Sequence, residues 1–276
     1  MDFKKMIGFG VAGNFAGHLE QAGEASDFVN VKVKDNIQPK AIFPFYLPNQ
    51  TETFLATFPV SSDTIQFPVG ADNLQIEPEI ALICEIEYDE NKQVQALKPI
   101  YFTAFNDCSI RRPGAKKISE KKNWGPASKG MASQLLPLSE FSEGCELDHY
   151  RIASFLKRDG KAYPYGQDSA AVDYSYFHET LLNWVIEKMN HQADEGPAED
   201  IALHLKNSGY PTQVIISIGA TRYLPFGETN FLQPGDESIV VVYDCRQFNA
   251  EFVQAGVQAN ELSNQGGMCV LKQTVV

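Results

Sequence analysis

The sequence predicts a β-rich α+β protein, a single domain over residues 1–276. Three observations predict it. Strand-like segments outnumber helical ones, the two helical patterns are short, and no linker, repeat or low-complexity tract divides the chain. Ile80–Tyr88, Leu97–Phe105, Thr212–Ile218 and Ser238–Cys245 are rich in β-branched and aromatic residues and are bounded by Gly, Pro, Asp or Asn, so they read as strands. Tyr174–His191 sets Phe177, Leu181, Trp184, Val185 and Met189 at three- and four-residue steps, with Glu179, Glu187 and Asn190 elsewhere, so it reads as an amphipathic helix. Gly196-Pro197-Ala198-Glu199-Asp200 opens a second helix, with proline in its first turn and acids near its start, and Gly209 closes it. Arg111–Ser128 carries six Lys or Arg residues and reads as a long polar loop, either a solvated excursion or a mobile functional element.

Composition narrows the function classes. Hydrophobic residues at 43% and charged residues at 21% suit an ordinary globular core. Asp and Glu outnumber Lys and Arg 35 to 23, a formal charge of −12, so no global positive field holds nucleic acid or anionic lipid. No apolar run approaches the ~20 residues a bilayer span requires, and Met1–Gly10 has no long apolar region. A soluble, cytoplasmic protein is expected. The five cysteines form no C-x-x-C pair, which suits reduced thiols better than disulfides or a cysteine-type zinc site.

Several short patterns carry candidate chemistry. Gly8-Phe9-Gly10-Val11-Ala12-Gly13 is a literal G-x-G-x-x-G, with Asp35 following the strand-like Val29–Lys34. Without further βαβ alternation it reads instead as a glycine-rich bend that lets backbone pass close to a ligand or another strand. His18, near Glu20 and Glu24, is a general-base candidate oriented by a carboxylate, or else a surface histidine. Glu77 and Glu79 open an apolar strand two residues apart, which puts both carboxylates on one side, where they repel unless a cation sits between them. The alternative is a solvated strand start. Asp107 at the end of Leu97–Phe105 is either a third oxygen ligand or a turn residue. Lys129, between small residues, offers a compact charge to a developing anion, and Thr221, after a strand and a glycine, is placed as an exposed oxyanion contact. His149, His178, His191 and His204 lack metal-ligand spacing and read as surface histidines.

The order of these motifs, rather than any one of them, resembles the fumarylacetoacetate hydrolase (FAH) superfamily, a divergent member without a separate N-terminal domain. The likeness runs from about Gly8 to Asp244: Asn14-Phe15-x-x-His18, Glu77-x-Glu79, Asn106-Asp107-x-Ser109-x-Arg111, a Trp124-then-Lys129 loop, Gly219-x-Thr221, and Leu232-Gln233-Pro234-Gly235-Asp236. The resemblance implies a mixed β-roll or sandwich with peripheral helices, in which residues 1–50 supply an N-terminal lid segment. It implies Mg²⁺ or Mn²⁺, with Ca²⁺ as a stand-in in crystals, held by Glu77, Glu79 and Asp107. His18 becomes the water-activating histidine, Lys129 the active-site lysine, Arg111 a substrate-side arginine and Thr221 a substrate contact. The implied chemistry is C–C hydrolysis or decarboxylation of a 2-oxo or β-diketo carboxylic acid, with isomerisation and hydration as further possibilities, in a homodimer.

The chain departs from that pattern at three places. Gln21 stands where the family has a glutamate, leaving Glu20 or Glu24 to orient His18. Arg112 replaces an aspartate, and Phe45-Tyr46-Leu47-Pro48 lacks a lysine. Two other readings therefore stay open: a carboxylate- and metal-binding protein without turnover, and a dinucleotide binder.

Overall fold

In the computed structural model, which describes residues 1–28, 37–71, 73–112 and 114–276, two sheets share the core. Val29–Lys34 and Asp35 lie outside the described residues. The strands in chain order are β1 (Ile7–Ala12), β2 (Ala41–Tyr46), β3 (Val60–Ser61), β4 (Thr64–Ile65), β5 (Leu74–Gln75), β6 (Pro78–Tyr88), β7 (Val94–Asn106) and β8 (Ser109–Ile110). They continue with β9 (Lys129–Met131), β10 (Leu136–Pro137), β11 (Tyr150–Arg158), β12 (Lys161–Ala170), β13 (Gln213–Ser217), β14 (Glu237–Asp244) and β15 (Met268–Val275). The helices are α1 (His18–Gln21), α2 (His178–His191), α3 (Ile201–Asn207), α4 (Pro225–Thr229) and α5 (Ala250–Ala259). No helix among the described residues is long and apolar enough to cross a membrane.

The larger sheet runs β2-β1-β13-β6-β7-β9-β3, with β10 also on β7, and the smaller runs β12-β11-β14-β15-β4. Among the described residues all ladder pairings are antiparallel except β1 with β13, β3 with β9 and β4 with β15. Between the sheets, Ile80 and Leu82 of β6 and Phe102 of β7 share one apolar cluster with Ile152 of β11, Val240 and Val242 of β14 and Leu271 of β15. The edge-to-face pair Phe102 and Tyr150, 4.8 Å between ring centres, spans that interface. β6 shows how burial follows from this arrangement. Its first seven residues are buried on both faces, and alternation resumes only at exposed Glu85 and Glu87, where the covering sheet ends.

The four expected strands are present as β6, β7, β13 and β14. The expected bend at Gly8–Gly13 is instead strand β1, inside the larger sheet. A Cβ on Gly8 would run into the Phe45 ring and one on Gly10 into the Phe43 ring, both from β2. These glycines therefore make room for neighbouring aromatics, and the helix after them is the four-residue α1 rather than a phosphate-facing one. The first 50 residues, expected as a lid, contribute both β1 and β2 to this sheet.

The first helix starts at His178 rather than Tyr174. Asn14 takes both the N–H and the carbonyl of Tyr176, while Phe15 and Phe177 pack on Tyr174, so the aromatic stretch is held out of the helical path. The second helix starts at Ile201, because Asp200 caps it by accepting from the Leu203 amide at 2.9 Å. The Arg111–Ser128 segment is not a solvated excursion. It contains a 3-10 turn at Ile118–Lys121, and Ser119, Lys121, Lys122 and Asn123 are buried.

Candidate metal centre

Strand register assembles the site. β6 begins where β7 ends, with Pro78 opposite Asn106, so Glu77 and Glu79 at one end meet Asp107 at the other. The Asp107 amide donates to the Glu77 carbonyl at 2.9 Å, and the Asn106 side chain accepts from the Glu77 amide while donating to Ser238 and Gln273 of the smaller sheet. One oxygen from each of Glu77, Glu79 and Asp107 lies within 4.8 Å of the others, and all three residues are buried. The same-side convergence expected from the sequence is therefore present, and the solvated strand start is not.

Neighbouring strands of the larger sheet deliver the remaining groups. β9, paired to β7 through Gly130 opposite Asn106, places fully buried Lys129 with Nζ 3.3 Å from Asp107 Oδ1 and bonded to the Cys108 carbonyl. β13, paired to β6, leads into Gly219. Its φ of 120° suits glycine, and its amide donates to Glu79 Oε2 at 2.8 Å. α1 follows β1 and brings buried His18 over the loop after β13.

His18 Nδ1 lies 2.9 Å from the Thr221 carbonyl oxygen. A carbonyl only accepts, so this bond assigns the proton to Nδ1 and leaves Nε2 as the basic nitrogen. Burial lowers the imidazole to a pKa of about 4, so it is neutral at pH 7. The expected carboxylate partners do not serve it. Glu20 is on the exposed side of α1, and Glu24 pairs with Arg111 Nη1 at 2.6 Å and Lys121 Nζ at 2.8 Å. Gln21 bonds the backbone of Tyr223 and so ties α1 to that loop. Thr221 itself is buried, correcting the exposed placement, and reaches the site through its carbonyl.

Arg111 is drawn into the cluster with its donors committed. It contacts Glu77 Oε1 at 2.7 Å, Gln75 at 2.6 Å, the Tyr223 hydroxyl at 2.9 Å, and Glu24. Lys122, which motif reading passed over, is buried with Nζ 2.6 Å from Glu77 Oε2 and 2.7 Å from Asp107 Oδ2. No local pattern marks it, and its place shows only once the cluster is assembled: Glu24, Glu77, Glu79 and Asp107 are four acids, for which Arg111 and Lys129 supply only two bases. Lys121 and Lys122 complete four against four.

The electrostatics follow from this crowding. Burial alone would raise Glu77, but the charges of Lys122 and Arg111 outweigh it and hold the carboxyl well below its ordinary range. Glu79 is pushed well up, first by burial and then by Asp107 and Glu77. Both Asp107 oxygens and Glu77 Oε1 are buried without a well-formed hydrogen bond, meeting cations through charge alone. An all-carboxylate, buried donor set with underused oxygens, in which burial pushes both Glu79 and Asp107 toward their neutral forms, fits a hard divalent cation. The cavity over the carboxylates is about 20 Å³ and is bordered by His18, Glu24 and Lys122. Glu24 also borders a 380 Å³ cavity lined by Arg111 and Lys121, and a 760 Å³ cleft lies beyond Arg111 against Trp124. Elsewhere, His178 is not a free surface histidine: its Nε2 lies 2.6 Å from Asp148 Oδ1, which also accepts from Cys145.

Solved structures share this architecture. An FAH family protein of Yersinia pestis CO92 superposes with a TM-score of 0.52 at 12% identity, covering 98% of this chain and 93% of that one. 5-Carboxymethyl-2-hydroxymuconate delta-isomerase of Mycobacterium smegmatis gives 0.52 at 16% identity, over 98% and 78%. 2-Keto-3-deoxyarabinonate dehydratase gives 0.52 at 13% identity, over 98% and 72%. At such identities the likeness is one of fold, and it matches the β-rich FAH-type architecture expected from the motifs. No match was found among curated protein sequences. Residues 24–275 match the profile of a family of unknown function, DUF5718, so the chain belongs to that family and carries it on an FAH-type fold.

Proposed function

We propose that the protein is a divalent-metal-dependent enzyme acting on a 2-oxo or β-diketo carboxylic acid by C–C hydrolysis or decarboxylation. The observation that carries this reading is the meeting of Glu77, Glu79 and Asp107 at one buried point, beside a lysine and a neutral histidine. Glu77, Glu79 and Asp107 would hold Mg²⁺ or Mn²⁺, which when bound supplies Lewis acidity toward a chelating 2-oxo carboxylate. Lys129 adds positive charge where negative charge develops on the substrate oxygen. His18 accepts a proton at Nε2, with the Thr221 carbonyl fixing its orientation. Glu24 and Arg111 stand between the carboxylates and the 380 Å³ cavity, the route proposed for substrate. The isomerase and dehydratase among the fold relatives support small carboxylate substrates as the class.

The reading includes a cytoplasmic homodimer. The five unpaired cysteines suit a reducing compartment, and a two-sheet β-rich fold of this class offers strand and apolar surface that a second copy can cover. Sedimentation at micromolar concentration then gives about twice 30.7 kDa. The decisive test is turnover of acylpyruvates and oxaloacetate with Mg²⁺ or Mn²⁺ against a chelated control. Loss of activity on chelation supports the reading, and equal rates with and without metal overturn it. A second reading, ligand binding without turnover, is favoured by one observation: His18 is held by a neutral carbonyl, which does not stabilise imidazolium as a carboxylate would. Saturable oxalate binding with no product from any oxo acid would select it.

A further inference from the structure

Lys122 places its ammonium where a cation bound by this site has to sit. Nζ lies 2.6 Å from Glu77 Oε2, 2.7 Å from Asp107 Oδ2 and 3.5 Å from the Asp107 carbonyl. Its side chain is 3% exposed, and Nζ stands 5.3 Å from the centre of the Phe43 ring. Two of the three candidate metal ligands are thus already engaged by a charge belonging to the chain.

The other cations of the cluster are anchored elsewhere as well. Arg111 is held by Glu24, Gln75 and Tyr223, Lys121 by Glu24, and Lys129 by the Cys108 carbonyl. Among the described residues, the polar contacts of Lys122 are to Glu77 and Asp107. A divalent ion takes carboxylate oxygens at roughly 2.0–2.6 Å, depending on the metal. Bonded to Glu77 and Asp107, it would crowd an ammonium that holds the same carboxylates, beside a cavity of about 20 Å³. Such a volume suits one water-sized occupant. Four bases there face at most four negative charges, so adding a doubly charged ion without removing a lysine leaves buried excess positive charge.

We propose that Lys122 is the resident cation of the Glu77–Asp107 pair, and that a divalent metal enters only as the Lys122 ammonium withdraws. The inference rests on reading the three carboxylates as a metal site. Lys122 then keeps the buried acids compensated in the metal-free protein and sets the metal concentration at which the site fills. Its place directly after the 3-10 turn at Ile118–Lys121 puts that withdrawal in a short segment rather than in the sheet.

The test is Mn²⁺ titration of the full chain by calorimetry, comparing wild type with Lys122→Met and with Lys117→Met, which removes a charge from the same segment but outside the cluster. Lys122→Met should bind Mn²⁺ at least ten-fold more tightly, with Lys117→Met within two-fold of wild type. Equal or weaker binding by Lys122→Met overturns the alternation and leaves the metal site standing. Absence of binding in both wild type and a folded Lys122→Met overturns the alternation and the metal reading together. Should Lys122→Met fail to fold, amine acylation of wild type read by mass spectrometry decides. Saturating Mn²⁺ should raise labelling of Lys122 several-fold while Lys129 stays protected, and unchanged Lys122 labelling overturns the proposal.

Discussion

The strands β6 and β7 carry charges at both ends of their ladder, and the two ends behave as different solvents. At one end Glu87 and Lys98 pair at 3.3 Å with side chains 54% and 65% exposed. At the other, Asp107 meets Lys122 and Lys129 with side chains at most 3% exposed. The residue types and distances are alike. What differs is the cover: β11, β14 and β15 lie over one end and leave the other in water. An exposed pair contributes ~0–1 kcal/mol because water screens it, whereas a buried group stripped of its partner costs several times more. A carboxylate on this hairpin becomes a candidate ligand through its position along the strand, not through its sequence neighbours.

Breaking the covered end should give the largest effect. Asp107→Ala leaves Lys122 and Lys129 undercompensated, and urea unfolding of the metal-free protein should show a loss of about 3–5 kcal/mol. A loss below about 1 kcal/mol would mean this end is solvated like the other. Next comes pH. The unfolded chain protonates His18 near 6.5 and the folded protein only near 4, so its contribution is complete above pH 6.5 and is lost as pH falls from there toward 4. Linkage gives about 2 kcal/mol lost by pH 5. The difference between wild type and His18→Asn in unfolding at pH 7.5 and pH 5 isolates it, and parallel curves would place the ring in water.

Glu79→Gln sharpens the contrast. A carboxyl pushed up by burial and by Asp107 and Glu77 loses little when a neutral amide replaces it, so the metal-free variant should unfold within about 1 kcal/mol of wild type. Its Mn²⁺ affinity by calorimetry should nevertheless fall at least ten-fold, about 1.4 kcal/mol. Unchanged affinity would remove Glu79 from the ligand set. The smallest effect belongs to the exposed end: Lys98→Ala should alter stability by less than about 0.5 kcal/mol.

Much of this was legible from local pattern. Strand β6 was readable because Ile80, Leu82 and Ile86 sit among β-branched and aromatic neighbours between Pro78 and Asp89, and Asp107 because it closes such a run. β1 was not. Its glycines read as a bend until the rings of Phe43 and Phe45, more than 30 residues away, are seen to fill the space beside them. The start of α2 was misplaced for a similar reason, since the Asn14 side chain that holds Tyr176 lies 162 residues from it.

The sequence by itself determined the strand-rich class, the convergence of Glu77 with Glu79, and the presence of His18 and Lys129 as chemical groups, because period-two alternation and residue type are local properties. Tertiary structure decided how those groups are used. It gave His18 a carbonyl instead of a carboxylate, committed Arg111 to Glu24 and Glu77, and turned Lys122 inward from a stretch that reads as solvent-facing. The reason is physical: the sign of a buried charge's contribution depends on which partners desolvation leaves beside it, and those partners come from strands far apart in sequence that become neighbours only when the sheets close.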